Sequence, residues 1–409
     1  MKNILFITST NLASNPRIVK EIKSCLEYGC NITVICFEFN NWSSDSDIEI
    51  RKQLSSVQFY ILSAYRKPFF QFLASVIQEK IFRFLSFYFE LNEKLLSIAL
   101  SRSSVLLLRN IKKVRTADLI IGHNSAAMYP TLYAAKKFSA KSIFDFEDYH
   151  RGELLHSHWK SKLISNLENK CVPYFDSITA ASPLISEAYE NVFPGKKIHI
   201  INNYFSKAYA KSQISVIEYT PIKLFWFSQN IGNDRGLEYI IEALKYFSND
   251  AFVLTLLGNC SAENLQYFTN IILKSGLATN QVIFLHPVKE DEICKIASQH
   301  HIGIASEIAH VQNRDYCLTN KVFMYLLSGN AVLMSDTKAQ KLFWQNHQDV
   351  GFCYEQQNVK SIVGALEFYK SNPGILLRHR ENALELAKGK MNWESEQEVF
   401  INNIDLTLN

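Results

Sequence analysis

Short apolar runs alternate with helix-like segments along almost the whole chain, and this alternation constrains the fold more than any other feature. The run "NILFITS" (3–9) is followed by residues 15–29, whose apolar side chains recur at helical spacing, and then by "NITVICFE" (31–38). Pro16 suits a first helical turn and Gly29 suits a helix end. A strand, a helix and a strand in this order predict a β-α-β unit of a parallel sheet.

The same alternation continues through two halves of the chain. Further buried strands are predicted at "VQFYIL", "DLIIGH", "KSIFDF", "DSITAAS" and "KIHIINN" in the first half, and at "IKLFWFS", "AFVLTLLG", "QVIFLH", "HIGIAS" and "AVLMS" in the second. Residues 206–221 are more polar and less patterned, and residues 358–409 read as helices only. We therefore predict an α/β chain with a Rossmann-like domain at 1–205, a linker at 206–221 and a second Rossmann-like domain at 222–385. Ligands of such sheets bind outside the carboxyl ends of the strands, and a cleft between two such domains is a natural ligand site.

Composition excludes several classes of protein. A net charge of +4 over 409 residues is too small for a dedicated nucleic-acid binder. The eight cysteines form no C-x-x-C pair and no zinc-like spacing with histidine, which suits a reducing cytoplasm. The sequence shows no convincing signal peptide and no apolar run of about 20 residues, so we expect a cytoplasmic protein without a membrane span.

The segment 66–115 departs from the regular alternation. Its first part, "RKPFFQFLASVIQEKIFRFLSFYFELNEKLL", carries a wide apolar face interrupted by basic residues. An interfacial helix on the inner face of a membrane has this pattern, and so has a core helix of the first domain. Since amphipathic helices mostly face cores, we favour the core helix and keep a peripheral membrane contact as the alternative.

A basic residue follows the strand at 222–228, at the predicted start of a helix. In "QNIGNDRGLEY", Asn233 or Asp234 can cap the helix and Arg235 then falls in its first turn. The N-terminus of a helix already carries partial positive charge, so a cation there is mildly unfavourable. A bound diphosphate would reverse that sign. The alternative is a side chain that simply extends into solvent.

The segment "LTNKVFMYLLSGNAVLMSD" (318–336) repeats this arrangement. It reads as a helix capped by Thr319 or Asn320, with Lys321 in the first turn, followed by a strand. The helix is apolar, which predicts burial against the second sheet.

Three other places put polar side chains after predicted strands. Glu307 follows "HIGIAS" and is either a carboxylate that binds hydroxyl groups of a ligand or an acidic residue of a surface loop. His123 ends "DLIIGH" and either binds a substrate hydroxyl or phosphate or is a satisfied loop histidine. Asp145, Glu147 and Asp148 in "FDFEDYHRGE" form a candidate acceptor-side group without the fixed spacing of a metal motif.

Taken in order, these segments resemble the retaining GT-B glycosyltransferases often called family 4. "SNPRIVKEIKSCLEYGCNITVI" is similar to the opening of that group, and "DLIIGHNSAAMYPTLYAAKKFSAKSIFDFED" to its segment that runs from a histidine to an Asp-x-His-Glu motif. "FWFSQNIGNDRGLEYIIEAL" is similar to its nucleotide-binding turn and helix. "LTNKVFMYLLSGNAVLMSD" resembles its "LPNKLFEYMAAGLPVVASD", and "NWESEQEVF" its closing helix.

The resemblance implies two Rossmann-like domains facing each other across a deep cleft, with a C-terminal helix, here 386–409, returning to the first. It implies transfer of a sugar from a nucleotide-sugar donor on the second domain to a glycan or lipid-linked acceptor on the first, with retention at the anomeric carbon. The expected setting is synthesis of a cell-surface polysaccharide such as lipopolysaccharide, capsule or exopolysaccharide. Such enzymes usually need no metal or other cofactor, because cations offset the charge of the leaving diphosphate.

The resemblance also assigns roles to particular residues. The catalytic group is His123, Arg235 and Lys321. The donor-binding group is Asn230, Gly232, Arg235, Glu307, Thr319, Asn320 and Lys321, and the acceptor-side group is Arg17, Asp145, Glu147 and Asp148.

Some positions depart from the group's pattern. Met324 stands where relatives carry a glutamate that binds the donor ribose, and Asn230 stands where many have a second basic residue. Glu147 and Asp148 replace a His-Glu pair. These departures keep open a second interpretation, a catalytically degenerate GT-B subunit that binds sugar or a partner protein. A nucleotide-sugar epimerase of the same fold is a minor alternative, and a Rossmann dehydrogenase is disfavoured because G-x-G-x-x-G does not occur.

Overall fold

The computed structural model describes residues 2–41, 43–65, 68–216 and 218–409. The described residues form two compact units. The first groups residues of Met1–Asn202, Val311–Asn313 and Gln397–Asn409, and the second groups Asn203–His310 and Arg314–Glu396. Residues of the predicted linker therefore group with the second unit, apart from Ile217, which lies outside the described residues.

The first unit is built on a parallel sheet. Its strands are β1 (Asn3–Thr8), β2 (Asn31–Glu38), β3 (Gln58–Ser63), β4 (Leu119–His123), β5 (Lys141–Phe146), β6 (Ser177–Ala180) and β7 (Ile198–Ile200). Their order across the sheet is β3-β2-β1-β4-β5-β6-β7. The central strand β4 is buried along its whole length, as expected of a parallel strand covered on both faces. Every strand predicted in the first half of the chain is confirmed.

Helices connect these strands. They are α1 (Pro16–Glu27), α2 (Ser44–Gln53), α3 (Phe69–Leu85), α4 (Glu93–Leu100), α5 (Arg102–Ile111), α6 (Met128–Phe138), α7 (Trp159–Cys171) and α8 (Pro183–Val192). The α1 helix shows how the sequence fixes its ends. The Asn15 side chain accepts a hydrogen bond from the Ile18 amide, Pro16 takes the first helical position, and Gly29 follows the helix with a φ of +87°.

The second unit repeats the plan. Its strands are β8 (Ile222–Ile231), β9 (Phe252–Cys260), β10 (Val282–Leu285), β11 (Ile302–Ala305), β12 (Ala331–Ser335) and β13 (Gly351–Tyr354), in the order β10-β9-β8-β11-β12-β13. The helices after β8 are α9 (Leu237–Leu244), α10 (Ala262–Lys274), α11 (Glu290–Ala297), α12 (Gln312–Tyr316), α13 (Asn320–Ser328), α14 (Lys338–Asn346), α15 (Val359–Ser371), α16 (Pro373–Gly389) and α17 (Trp393–Leu408). The predicted strands of this half are confirmed, and the helical tail is too.

Three details of the second half of the chain differ from the prediction. Helix α9 begins at Leu237 and not at Arg235, because Asp234 and Gly236 adopt left-handed φ angles of 62° and 74° that no helix can include. Arg235 therefore lies in the turn before the helix, and neither Asn233 nor Asp234 is its N-cap. The last helix begins at Trp393, since residues through Gly389 belong to α16. The edge strand β13, whose two central residues are only half-buried, was not predicted.

The preferred interpretation of the segment 66–115 is wrong for α3. Only Ser75 of this helix is buried, and most of its large apolar side chains are exposed. The basic residues Arg66 and Lys67 lie outside the described residues. By contrast, α4 is buried from Leu96 to Leu100 and α5 buries one face, as core helices do. Within the described residues, no helix has both the length and the apolar character needed to cross a bilayer.

Candidate functional site

The Glu307 cluster, which consists of Arg235, Glu307, Arg314 and Lys321, brings together cations from separate segments of the second unit. Glu307 follows the end of β11, Arg235 lies between β8 and α9, and Lys321 is in the first turn of α13. The Oε1 atom of Glu307 accepts a hydrogen bond from Lys321 Nζ at 2.6 Å. Its Oε2 atom accepts from Arg235 Nη1 and from Arg314 Nη1, each at 2.9 Å. The two cations that the sequence singled out thus meet at one carboxylate.

This cluster has more positive than negative charge. Three cations surround a single carboxylate, which leaves a formal excess of +2. Burial raises the pKa of Glu307, but Lys321 and then Arg235 outweigh it and hold that pKa at about 2, so the carboxylate is ionised at neutral pH. The Arg235 and Arg314 side chains keep 31% and 26% of their surface exposed, so solutes can reach the excess charge.

Lys321 itself is buried, with 6% of its surface exposed. Burial lowers the pKa of Lys321, an effect that the Glu307 carboxylate opposes. Its Nζ atom also lies 5.2 Å from the centre of the Trp226 ring, within range of a cation–π interaction. Every residue of α13 from Lys321 to Ser328 is buried, so the helix is covered on all sides. This burial explains why its sequence is so apolar.

The start of α13 differs from the predicted capping. Thr319 is the N-cap residue but its side chain makes no capping hydrogen bond, and Asn320 is the first helical residue, with an exposed side chain. The positive end of the helix dipole therefore lies beside Lys321 without a side-chain cap from Thr319.

The remaining predicted donor residues, Asn230 and Gly232, lie at the end of β8. Asn230 is exposed, and its Oδ1 accepts a hydrogen bond from Asn259 Nδ2 at 3.2 Å. Gly232 is not required by packing, because an added Cβ would meet only Asn264 Nδ2, at 3.5 Å. Met324 is fully buried and offers no polar contact to a ribose.

The His123 cluster, which consists of Arg17, Glu21, His123, Asp145 and Glu147, lies in the first unit. His123 ends β4 and is paired in register with Asp145 of β5. Its Nδ1 atom lies 2.8 Å from Glu147 Oε1, and its Nε2 atom lies 3.0 Å from Glu21 Oε2. Burial lowers the pKa of His123, but Glu21, Asp145 and Glu147 together raise it well above its usual value. The ring is therefore an imidazolium ion whose two N–H groups both face carboxylates.

Arg17 and Asp145 form a buried fork beneath the histidine. Arg17 Nε donates to Asp145 Oδ2 at 2.6 Å and Nη2 donates to Oδ1 at 2.7 Å, while the Thr179 hydroxyl donates to Oδ1. The guanidinium group overcomes burial and lowers the pKa of Asp145. Neither side chain has more than 2% of its surface exposed, so neither offers a free atom to a ligand. Glu147, with 17% exposed, carries most of the accessible surface of the cluster.

Asp148, the fourth predicted acceptor-side residue, has a different partner. Its Oδ1 accepts a hydrogen bond from Asn313 Nδ2 at 2.9 Å, and burial raises its pKa. The structure thus brings Arg17, Asp145 and Glu147 together but not Asp148.

Sequence reasoning missed one member of each cluster. Glu21 lies one helical turn after Arg17 on α1, and this i, i+4 spacing was the available signal. Arg314 lies seven residues after Glu307 in a short polar segment, and no pattern in the sequence distinguishes it from a solvated arginine.

Glu21, His123 and Asp145 are the one group of described residues whose ligand atoms lie close enough to hold a metal ion. The charges around them oppose that use. Arg17 already donates to both oxygens of Asp145, and the raised pKa of His123 keeps a proton on the nitrogen that a metal would need. The arrangement fits a hydrogen-bonded ion network better than a metal centre.

Comparisons with known proteins agree with this architecture. No protein-family model matches the chain, and no curated protein sequence matches it either. Among solved structures, HepE from Anabaena, in complex with UDP-glucose, is similar with a TM-score of 0.72 and 14% identity, over 99% of this chain and 100% of that one. Sucrose-phosphate synthase from Thermosynechococcus elongatus is similar with a TM-score of 0.71 and 11% identity, over 99% and 98%.

A glycosyltransferase from Rickettsia africae gives a TM-score of 0.70 at 13% identity, over 98% of each chain. At these identities the likeness concerns the fold. The chain has the GT-B fold of glycosyltransferases, with two α/β units that are each built on a parallel sheet.

Proposed function

We propose that the protein is a retaining glycosyltransferase of the family 4 type, which moves a sugar from a nucleotide-sugar donor to a glycan or lipid-linked acceptor. The observation that carries this proposal is the Glu307 cluster. Three cations around one buried carboxylate leave an excess of positive charge at the carboxyl edge of the second sheet, where parallel sheets bind ligands. The GT-B fold supports the same assignment.

The donor diphosphate would bind to the two partly exposed guanidinium groups of this cluster. Arg235 and Arg314 each present a planar fork of N–H donors, which matches phosphate oxygens well. Lys321 and the uncapped start of α13 would add positive potential behind them. These groups are already held in place by Glu307, so they can stabilise the negative charge of the leaving nucleotide without first reorganising. No metal is needed in this scheme, and activity in the presence of EDTA would test that part of it.

The His123 cluster would serve the acceptor side. Glu147 supplies the accessible carboxylate, and His123, held between Glu147 and Glu21, supplies a fixed positive charge behind it. Arg17 and Asp145 would position these two groups without contacting the acceptor, because both are buried. The Glu147 carboxylate can accept a hydrogen bond from a hydroxyl group of the acceptor or of the transferred sugar.

A donor screen tests the proposal most directly. Because HepE was solved with UDP and with UDP-glucose, UDP-sugars are the first donors to test, followed by GDP-, ADP- and CDP-sugars. The assay measures thermal stabilisation first and then release of free nucleotide with a lipid-linked or glycan acceptor. NMR of the product reports the anomeric configuration. Inversion of that configuration would reject the retaining assignment, and no binding of any nucleotide would reject the donor site.

A second candidate function is supported by Met324. This residue is apolar and fully buried where a donor-binding glutamate was expected, so the chain fits a GT-B subunit that binds a nucleotide sugar without turning it over. Binding of a donor without release of nucleotide, with every acceptor tested, would favour this candidate. We place either form in the cytoplasm, in the synthesis of a cell-surface polysaccharide.

A further inference from the structure

Helix α3 presents a stripe of large apolar side chains to solvent. The exposed members on the helix are Phe69, Phe70, Leu73, Ile77, Ile81 and Phe84. Phe87, Tyr88 and Phe89 extend the stripe just beyond the helix end, each with more than 60% of its surface exposed. Soluble proteins seldom leave so large an apolar patch uncovered without an interaction that uses it.

The stripe is a single face and not a scatter of side chains. At about 3.6 residues per turn, positions 70, 73, 77, 81 and 84 fall on one side of the helix. Ser75, on the opposite side, is buried. Inward-facing contacts fix the helix to its neighbours, since Arg83 lies over the Trp159 ring at 4.3 Å and Arg102 lies over the Phe72 ring at 4.7 Å. The outer face is therefore held in place by contacts that do not involve it.

Basic residues concentrate in the same part of the chain. Residues 66–115 contain ten lysines and arginines and three glutamates, which gives +7, whereas the whole chain carries only +4. Lys94, Arg109 and Lys112 are all exposed, and among the described residues none of them pairs with a carboxylate. Their charge is thus free to attract an anionic partner.

Three of these basic residues surround a concavity beside α3. It has a volume of about 230 Å³, and its lining includes Lys94, Arg109 and Lys112 together with the rings of Tyr129 and Tyr133. Gln78 of α3 closes one side of it, next in sequence to Ile77 of the exposed stripe. Helix α3 thus contributes both to a basic concavity, through Gln78, and to the exposed apolar stripe.

We propose that α3 lies in the interface of an anionic lipid bilayer, with its apolar stripe among the acyl chains and a lipid phosphate group in the concavity. A helix with an apolar face and basic neighbours binds membrane surfaces in this way. The charge decides against a second copy of this chain as the partner, because two copies would bring two strongly basic segments together. The inference does not depend on the proposed glycosyl transfer.

Vesicle sedimentation tests the role of charge. The intact protein should sediment with vesicles that contain phosphatidylglycerol, much less with pure phosphatidylcholine, and less in high salt. The charge variant replaces by serine the three basic residues of the concavity, Lys94, Arg109 and Lys112. Each such charge contributes about fivefold to binding at an anionic surface, so the variant should bind about a hundredfold more weakly.

A control variant removes the same amount of charge from the second unit. Exposed lysines without an ion pair among the described residues are available there, and we choose Lys274, Lys341 and Lys360. This variant should bind far more tightly than the concavity variant. Equal loss in the two variants would show that only net charge matters, and would overturn the assignment of a phosphate site.

A second pair of variants tests the apolar stripe. Ile77→Ser with Ile81→Ser should weaken binding to the same vesicles, whereas Tyr246→Ser with Leu273→Ser, which removes two exposed apolar side chains of the second unit, should not. All four side chains are at the surface, so unchanged thermal unfolding serves as the folding control.

Two results would overturn the proposal as a whole. One is full recovery of the intact protein in the supernatant with both kinds of vesicle. The other is a dimer in sedimentation velocity that the Ile77→Ser, Ile81→Ser variant dissociates, because the stripe would then be an interface between two copies.

Discussion

Replacing Glu307 by Gln removes one negative charge from among three cations while keeping the shape of the side chain. The carboxylate is buried and accepts hydrogen bonds from Lys321, Arg235 and Arg314. A neutral amide leaves Lys321, which is itself buried, without a counterion. Loss of one partner from a buried ion pair is destabilising because the other charge stays desolvated.

The magnitude follows from the pKa of Glu307. A fall from the usual 4.5 to about 2 corresponds to about 3 kcal/mol of stability at neutral pH. Because the pKa of the folded state is the lower one, this contribution is complete above the unfolded pKa and is lost as the pH falls toward the folded pKa. At a pH of about 3.5, about 1.4 kcal/mol of it is gone. The difference between the intact protein and Glu307→Gln should therefore shrink by about that amount between pH 7 and pH 3.5.

Hydrogen exchange of peptides that cover α13 gives this free energy locally, which matters in a chain of two units that need not unfold together. Glu263→Gln, an exposed change on α10, is the matched control and should alter exchange by less than about 0.5 kcal/mol. Equal protection of α13 in the two variants at pH 7 would refute the reasoning. So would a difference that stays the same at both pH values, since it would not come from ionisation of Glu307.

Three further changes probe the remaining arguments. Arg314→Ala should weaken UDP binding by about tenfold or more in calorimetry, because a hydrogen bond to a charged group contributes about 1.5–3 kcal/mol, and Lys245→Ala, just after α9, should not. Unchanged UDP affinity would remove Arg314 from the donor site. Glu21→Gln should lower the pKa of His123 in an NMR titration, because a carboxylate that raises it is lost; an unaltered pKa would show that Glu147 and Asp145 suffice. Gly351→Ala should destabilise the second unit by about 1–3 kcal/mol in thermal unfolding, because its Cβ would lie 1.9 Å from a carbonyl oxygen of β12; unchanged stability would mean that β13 can shift.

The sheets could be predicted because a parallel strand covered on both faces must be apolar along its length. This holds for β4 and β12, which are buried at every residue. It does not hold for β13, an edge strand whose two central residues are only half-buried. The prediction that α3 is a core helix failed for a different reason. The spacing of its apolar residues shows that one face of the helix is apolar, but it does not show what covers that face.

The site was predictable only where backbone position decides it. Lys321 was placed in the first turn of its helix because the apolar period begins there, and the structure agrees. Arg235 lies in the turn before α9 and not in the first turn of the helix, because the residues on both sides of it have left-handed φ angles. The sequence "NDRG" permits these angles but does not require them. Glu21 and Arg314 were missed because an acidic residue on a helix and a basic residue in a short polar segment usually face solvent. Only the tertiary fold brings them to their partners.

The opposite charge balance of the two clusters gives an argument for donor placement that does not depend on the family resemblance. In the Glu307 cluster three cations face one carboxylate, whereas in the His123 cluster three carboxylates face two cations. A diphosphate is attracted by the first arrangement, whereas the second offers it no excess of positive charge. A neutral hydroxyl needs no such excess and can use the Glu147 carboxylate as an acceptor. Under the proposed function, the diphosphate would therefore bind to the second unit on electrostatic grounds, and the first unit would bind neutral hydroxyl groups.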